Sequence, residues 1–312
     1  MAGFIGSNLA SEFIDLGAKV KILDGFVEGT GANIDNIREF AHHVDLYKFR
    51  IEEFEDLPEI VKASDLIIDS IAFTSHLLGV ENPILDARLN LMSHIYLIDG
   101  LKNTRKKKVI YLGSRGQYGN IKEPVITEET PQTPVDPQGI NKSSAENYFK
   151  FYAAKYDFYI TSLRITNCFG ENQKVFGDDI GLVGSFIKDI LDGKTVEIYG
   201  DKQRRKNLIY VKDLVKIITK LGMYDFNSFE AYNVAGLEVT LSQLLDGITG
   251  CIGKGGYIVK PFPENIKSIN VGEAEFSDNK LRHKLGDIQL TDFNDSLVNT
   301  VKYFKERLDG KR

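Results

Sequence analysis

The chain has 312 residues, 42% of them apolar and 27% charged, which suits a globular protein with a sizeable core, built as one large domain or as a domain with a smaller lobe. Its net charge of −5 and the absence of a long basic run argue against nucleic-acid binding. No apolar stretch reaches the roughly 20 residues of a transmembrane helix, the first residues lack a signal pattern, and the two cysteines, Cys168 and Cys251, sit in no metal spacing, so the expectation is a cytoplasmic protein without membrane or metal.

In chain order, Ser7–Leu16 reads as a helix with Leu9, Phe13 and Leu16 on one face, stopped by Gly17. Lys19–Leu23 reads as a strand ending on Asp24. Asp65–Ala72 is a second strand, Pro83–Leu101 a helix and Lys107–Gly113 a third strand. Glu123–Pro137, with four prolines, reads as an ordered surface loop. Asn141–Tyr156 is a long helix and Ile160–Thr166 another strand. This β–α alternation predicts an α/β fold with a parallel, doubly wound sheet. From Val175 the rhythm is mixed: helix over Ile180–Leu191, strand over Val196–Tyr199, helix over Asp213–Leu221, extended chain over Tyr232–Val234, and helices over Leu241–Ile252 and Phe293–Leu308. The boundaries expected are residues 1–174 for a Rossmann-like domain and 175–312 for a smaller α/β substrate lobe interleaved with it.

The opening Met1-Ala2-Gly3-Phe4-Ile5-Gly6-Ser7 places Gly3 and Gly6 at the spacing of the last two glycines of a GxxGxxG turn. Such a turn brings backbone N–H groups against a pyrophosphate at a helix N-terminus. Asp24 follows a strand about 20 residues further on, where a carboxylate accepts the adenosine ribose hydroxyls and repels a 2′-phosphate, favouring NAD over NADP. The first glycine and the strand that should precede Gly3 are not in the sequence, so the first strand of the fold is expected upstream of Met1.

Taken together, the sequence resembles the extended short-chain dehydrogenase/reductases of the NAD-dependent epimerase/dehydratase type, typified by nucleotide-sugar epimerases. The likeness runs end to end. It is carried by Ala2–Ser7, Asp24, Asn90, Gly113-Ser114-Arg115-Gly116-Gln117-Tyr118-Gly119, Lys142, Arg164–Gly170, Tyr210–Asp213, Tyr232–Gly236 and Ser277–Leu281. The resemblance implies a cofactor site of Gly3, Phe4, Ile5, Gly6, Asp24, Ile51, Ala72, Asn90 and Lys142. It implies a reaction centre of Ser114, residue 138 and Lys142. Substrate contacts come from Ser114, from Asn167 on the nucleotide diphosphate, and from Arg205 or Lys206 on phosphate. A solvated basic turn is the other reading of Gln203–Lys206.

The family places a tyrosine four residues before the lysine, and its phenolate takes the sugar hydroxyl proton. Here Pro137-Gln138-Gly139-Ile140-Asn141-Lys142 puts Gln138 in that place. A carboxamide donates or accepts hydrogen bonds but is no general base. Of three substitutes, Lys142 with a pKa lowered by burial is preferred; Tyr118 reads as packing, and Asp136 lies two residues from Gln138. Lys142→Ala is therefore expected to abolish turnover, and Asp136→Asn is not. Asp69 replaces a family histidine of structural character. Arg115 and Gly116 stand where 4,6-dehydratases carry an acidic pair, which argues against that chemistry. The function expected is NAD-dependent epimerisation of a nucleotide sugar. The alternative is a catalytically silent protein that binds NAD or a nucleotide sugar. A homodimer through the helices of Pro83–Leu101 and Asn141–Tyr156 is also expected, the second being rich in aromatics.

Overall fold

The computed structural model describes residues 1–104, 106–121, 123–177, 180–224, 227–261 and 274–310. Its strands are β1 (Val20–Leu23), β2 (Val44–Tyr47), β3 (Leu66–Asp69), β4 (Lys108–Ser114), β5 (Val125–Ile126), β6 (Tyr159–Ile165), β7 (Asn167–Phe169), β8 (Val196–Tyr199), β9 (Arg205–Tyr210), β10 (Phe229–Val234), β11 (Leu237–Thr240), β12 (Tyr257–Lys260) and β13 (Glu275–Phe276). Helices are α1 (Phe4–Asp15), α2 (Leu57–Lys62), α3 (His76–Glu81), α4 (Pro83–Ala87), α5 (Ser93–Leu101), α6 (Pro137–Tyr156), α7 (Leu182–Leu191), α8 (Val211–Gly222), α9 (Leu241–Ile252), α10 (Asn279–Leu285) and α11 (Phe293–Asp309).

The centre is a four-stranded parallel sheet in the order β10-β6-β4-β3, with Val109 paired to both Ile67 and Ile160. β4 is apolar along nearly its whole length because helices cover both faces, as parallel sheets require. Its side chains alternate between two cores. Ile110 and Leu112 join Leu163, Ile218 and Phe304, while Val109 and Tyr111 join Phe149, Ala153 and Ile160. β10 comes from the second half of the chain yet completes this sheet.

β1 and β2 form a separate parallel pair, and among the described residues no ladder joins β1 to β3. Met1 lies between them. Its amine approaches the Leu23 carbonyl at 3.5 Å, and its sulfur accepts the Ser70 hydroxyl at 3.1 Å. A mixed β11-β9-β7 sheet and the parallel pairs β12-β8 and β13-β5 make up the rest.

Several boundaries differ from the sequence reading. α1 begins at Phe4 because Gly3 is its N-cap. α6 begins at Pro137, not Asn141: proline suits the first helical turn, and Asp136 caps it by accepting the Gly139 N–H at 2.8 Å. Pro83–Leu101 is helical but interrupted by a wide π turn at Arg88–Met92. β2, β9, β11 and β12 had no clear signal, because short strands of mixed polarity lack a readable period.

Ser114 is followed by a tight turn that ends on Gly119, whose φ is +62°. A Cβ there would lie 1.9 Å from the Thr133 carbonyl oxygen. Gly119→Ala therefore meets both backbone strain and a collision, and is expected to cost about 3 kcal/mol or more. An unchanged urea midpoint would refute this account of the turn.

Candidate active site

A cleft of about 380 Å³ opens beyond the C-terminal ends of β1, β3, β4 and β6, where open α/β sheets place their ligands. Its walls include Gly3, Phe4, Ile5, Gly6, Asp24, Ile51, Ala72, Ser114, Gln138, Lys142 and Asn167. The fold thus gathers eleven of the fourteen residues singled out above, drawn from segments up to 164 positions apart.

At one end, α1 points its N-terminus into the cleft. The first intrahelical bond runs from Ser7 N–H to the Gly3 carbonyl at 2.9 Å, so the preceding amides are unspent within the helix. A Cβ on Gly6 would stand 2.5 Å from the Met1 carbonyl oxygen, so only glycine allows this approach. Asp24 accepts from the Met1 amine at 2.7 Å and from the Ala2 and Phe26 amides, each at 2.8 Å. Burial raises its pKa, but the ammonium and these hydrogen bonds outweigh that and hold it below the usual carboxylate value. A helix N-terminus, a glycine that admits no side chain and an ionised Asp at a strand end fit the pyrophosphate and ribose of a dinucleotide.

At the other end sit Ser114, Gln138 and Lys142. Ser114 caps the short turn after β4: its hydroxyl accepts the Gly116 N–H at 3.0 Å, and its own N–H donates to Gln117 Oε1 at 2.8 Å. Gln138 is buried in the first turn of α6 and donates to the Phe73 carbonyl at 3.0 Å. One turn on, Lys142 Nζ donates to the carbonyls of Leu112 (2.9 Å) and Ile71 (3.1 Å) and lies 5.0 Å from the centre of the Tyr111 ring. Burial lowers its pKa to about 8, against the opposing pull of Asp69 and Asp86.

Beneath this lysine, Asp69 and His94 form a fully buried pair at 2.7 Å. Burial raises the Asp69 pKa, and the His94 contact and the Lys142 charge more than reverse it. Asp69 is therefore an ionised counter-charge, although in the sequence it read as merely structural.

Three predicted residues lie outside the cleft walls. Asn90, in the π turn, is fully buried and clamps the loop after β3, accepting from Phe73 N–H at 3.0 Å and donating to its carbonyl at 2.9 Å. Arg205 and Lys206 are not in a basic turn but on β9, paired with Thr240 and Val239 of β11. Arg205 is tied to Glu238 at 2.7 Å on an exposed face.

Tyr118 is buried away from the cleft. Its hydroxyl donates to Asn233 Oδ1 and accepts from Arg164, each at 2.6 Å, and burial pushes its pKa up to about 12. Arg164 grips Glu146 with two nitrogens, at 2.6 and 3.1 Å, and Ser162, Gln117 and Gln132 also donate to that carboxylate. Since Gln117 also holds the Ser114 amide, this buried pair fixes the reaction-centre serine at one remove. Cys168 borders the cleft, where burial pushes its thiol up, as an unreactive cysteine requires.

One cleft residue escaped the sequence reading. His76, the first residue of α3, has Nδ1 2.7 Å from Asp136 Oδ2. The partners are 60 positions apart, and no local motif announces the contact.

A doubly wound α/β protein with a dinucleotide-shaped cleft and a serine–lysine pair at its far end defines a nucleotide-cofactor enzyme of the short-chain dehydrogenase type. The NAD dependent epimerase/dehydratase family profile matches residues 1–235, and the chain belongs to that family. A putative UDP-glucose 4-epimerase of Methanocaldococcus jannaschii is 26% identical over 306 residues, covering 97% of this chain and 96% of the relative. The structure of UDP-N-acetylglucosamine 4-epimerase from Methanobrevibacter ruminantium M1, in complex with UDP-N-acetylmuramic acid, matches with a TM-score of 0.88 at 25% identity, over 98% of this chain and 96% of that one. UDP-glucose 4-epimerase of Thermotoga maritima, solved with UDP-glucose, matches with a TM-score of 0.85 at 26% identity, over 98% and 97%. Among the described residues no helix is long and apolar enough to cross a membrane.

Proposed function

We propose that the chain is an NAD-dependent 4-epimerase of a nucleotide sugar. The observation that carries this reading is the single cleft joining the α1 N-terminus and Asp24 to Ser114 and Lys142. Gly3, Phe4, Ile5 and Gly6 would hold the pyrophosphate, Asp24 the adenosine ribose, Ile51 and Ala72 the flanking apolar surface, and Lys142 the nicotinamide ribose. Asn90 acts at one remove by setting the loop that carries Ala72. NAD supplies a reversible hydride acceptor when bound. Ser114 hydrogen-bonds the sugar oxygen that becomes a carbonyl, and the Lys142 cation stabilises charge on that oxygen. Gln138, locked to a backbone carbonyl, positions the loop rather than moving a proton. Asn167 contacts the diphosphate, with Arg205 or Lys206 reaching it once substrate is bound. The substrate lobe is residues 175–312, and the cytoplasm, where free cysteines persist, is the working compartment.

The test is incubation with NAD and a panel of nucleotide sugars, followed by product chromatography and absorbance near 340 nm. A C4 epimer is the expected product. The position of Gln138 favours a second reading, a silent binding protein. Tight binding of NAD with no product from any sugar, together with turnover gained by Gln138→Tyr, would select it.

The protein is further proposed to work as a homodimer through α4, α5 and α6. These helices expose Ile84 (84%), Phe151 (60%), Ile140 and Tyr148, and contiguous exposed apolar surface marks interaction sites. Ile84→Glu is expected to shift the size-exclusion peak from dimer to monomer at micromolar concentration. A wild-type monomer under the same conditions would sink the proposal.

A further inference from the structure

We infer that His76, oriented by Asp136, is the proton acceptor of the proposed reaction, doing from α3 what a phenol at position 138 would otherwise do. The inference rests on the epimerase reading above, and three observations bear on it.

The first is where the ring sits. His76 borders the cleft, and its side chain is half exposed. The point where a Cβ on Gly116 would stand lies 3.3 Å from Ser114 Oγ, 3.7 Å from His76 Cε1 and 4.0 Å from Gln138 Oε1. Histidine and serine therefore flank one spot beside residue 138. Gly116 has no side chain to fill that spot.

The second is what holds the ring. Asp136 Oδ2 lies 2.7 Å from Nδ1. The carboxylate is anchored in turn, since Oδ1 accepts the Gly139 N–H at 2.8 Å as the cap of α6. Burial raises the Asp136 pKa, but the His76 contact and backbone N–H groups bring it below the usual value, so it is ionised. A carboxylate on Nδ1 fixes the tautomer with its proton there, which makes Nε2 the basic nitrogen and stabilises the imidazolium that forms. This is the base-plus-orienter arrangement of general-base catalysis.

The third is that the other candidates are unsuited to take the proton. Lys142 donates to two backbone carbonyls, and with a pKa of about 8 it is mainly protonated at neutral pH. The Tyr118 hydroxyl is buried against Arg164 and Asn233. Gln138 cannot titrate.

In the step proposed, the carbinol O–H bond breaks and its proton passes to His76 Nε2. The electron pair of the adjacent C–H bond leaves as hydride to the nicotinamide dinucleotide, and the C=O bond forms. Return of hydride to the opposite face of the carbonyl carbon, with return of the proton from Nε2 to its oxygen, gives the epimer and restores neutral His76. Asp136 is a positioning residue throughout.

The test uses the whole chain with NAD. His76→Ala is expected to lower turnover by at least about 100-fold, and millimolar imidazole is expected to restore a measurable part of it. His76→Gln, which keeps a polar side chain, is expected to be as slow without rescue. Asp136→Asn keeps a capping oxygen and is expected to lose roughly tenfold in kcat with KM unchanged. Independently of turnover, diethyl pyrocarbonate is expected to carbethoxylate His76 in the wild type, as read by mass spectrometry, and UDP-glucose with NAD to slow that labelling. A His76→Ala variant that melts with the wild type and keeps its activity overturns the inference alone. So does loss of activity without imidazole rescue in a variant that still binds NAD. A wild type with no product from any nucleotide sugar overturns the epimerase reading, and this inference with it.

Discussion

Lys142→Ala is expected to lower turnover by about 1,000-fold or more, the combined scale of a lost electrostatic donor and a displaced reaction centre. The lysine does two things at once. Its ammonium satisfies the Leu112 and Ile71 carbonyls on the cleft floor, and in the proposed reaction its charge would face the reacting oxygen. The groups packed around it are Asp69 on β3, Asp86 on α4, His94 on α5 and Tyr111 on β4. The pH profile separates two roles. If the cation is the working form, kcat falls as pH rises through about 8, where the ammonium loses its proton. If the neutral amine is the base, the role preferred from sequence alone, kcat rises through the same value. The falling limb is expected, and a rising limb would return the base assignment to Lys142.

Arg164→Met is expected to cost about 3–5 kcal/mol at neutral pH, because it strands a buried carboxylate rather than removing a pair. Arg164 and Glu146 are only 7% and 6% exposed, so solvent does little to screen the loss. The sign of the pH dependence follows from Glu146. Burial raises its pKa, but the Arg164, Ser162 and Gln117 contacts outweigh that and hold it below the usual carboxylate value. A carboxylate with a depressed native pKa contributes stability above its unfolded pKa and loses it as pH falls through the native one. The stability difference between wild type and Arg164→Met should therefore shrink in acid. Urea unfolding across pH 3 to 7 checks this, and a difference that stays constant would mean the arginine acts by packing alone. Because Gln117 links Glu146 to the Ser114 amide, the variant should also lose activity before it unfolds.

Much of this architecture was legible in the sequence. The apolar runs that became β4 and β6 are buried on both faces, so they stand out as uninterrupted. Gly3, Gly6 and Asp24 are readable because a close backbone approach and a strand-end carboxylate impose residue types at fixed spacings. Ser114 and Lys142 were placed by resemblance, and the fold brings both to one cleft. What stayed hidden depends on contacts across the chain. Nothing near His76 in the sequence points to Asp136. Gln203–Lys206 read as a phosphate-binding segment or a solvated basic turn, because β9 is defined by its pairing with β7 and β11. The capping role of Asp136, and with it the true start of α6, was masked by a proline that reads equally well as the end of a loop.

The Phe73 carbonyl has two lone pairs, and both are occupied: Asn90 donates to one and Gln138 to the other. Gln138 therefore ties the first turn of α6 to the loop after β3. Gln138→Tyr would withdraw that donor and leave Asn90 as the remaining partner of the carbonyl. The peptide at residue 73 acts as a latch that joins two cleft walls through the carboxamide. Any turnover gained by Gln138→Tyr should therefore come with a looser joint between α6 and that loop, read as a lower melting temperature.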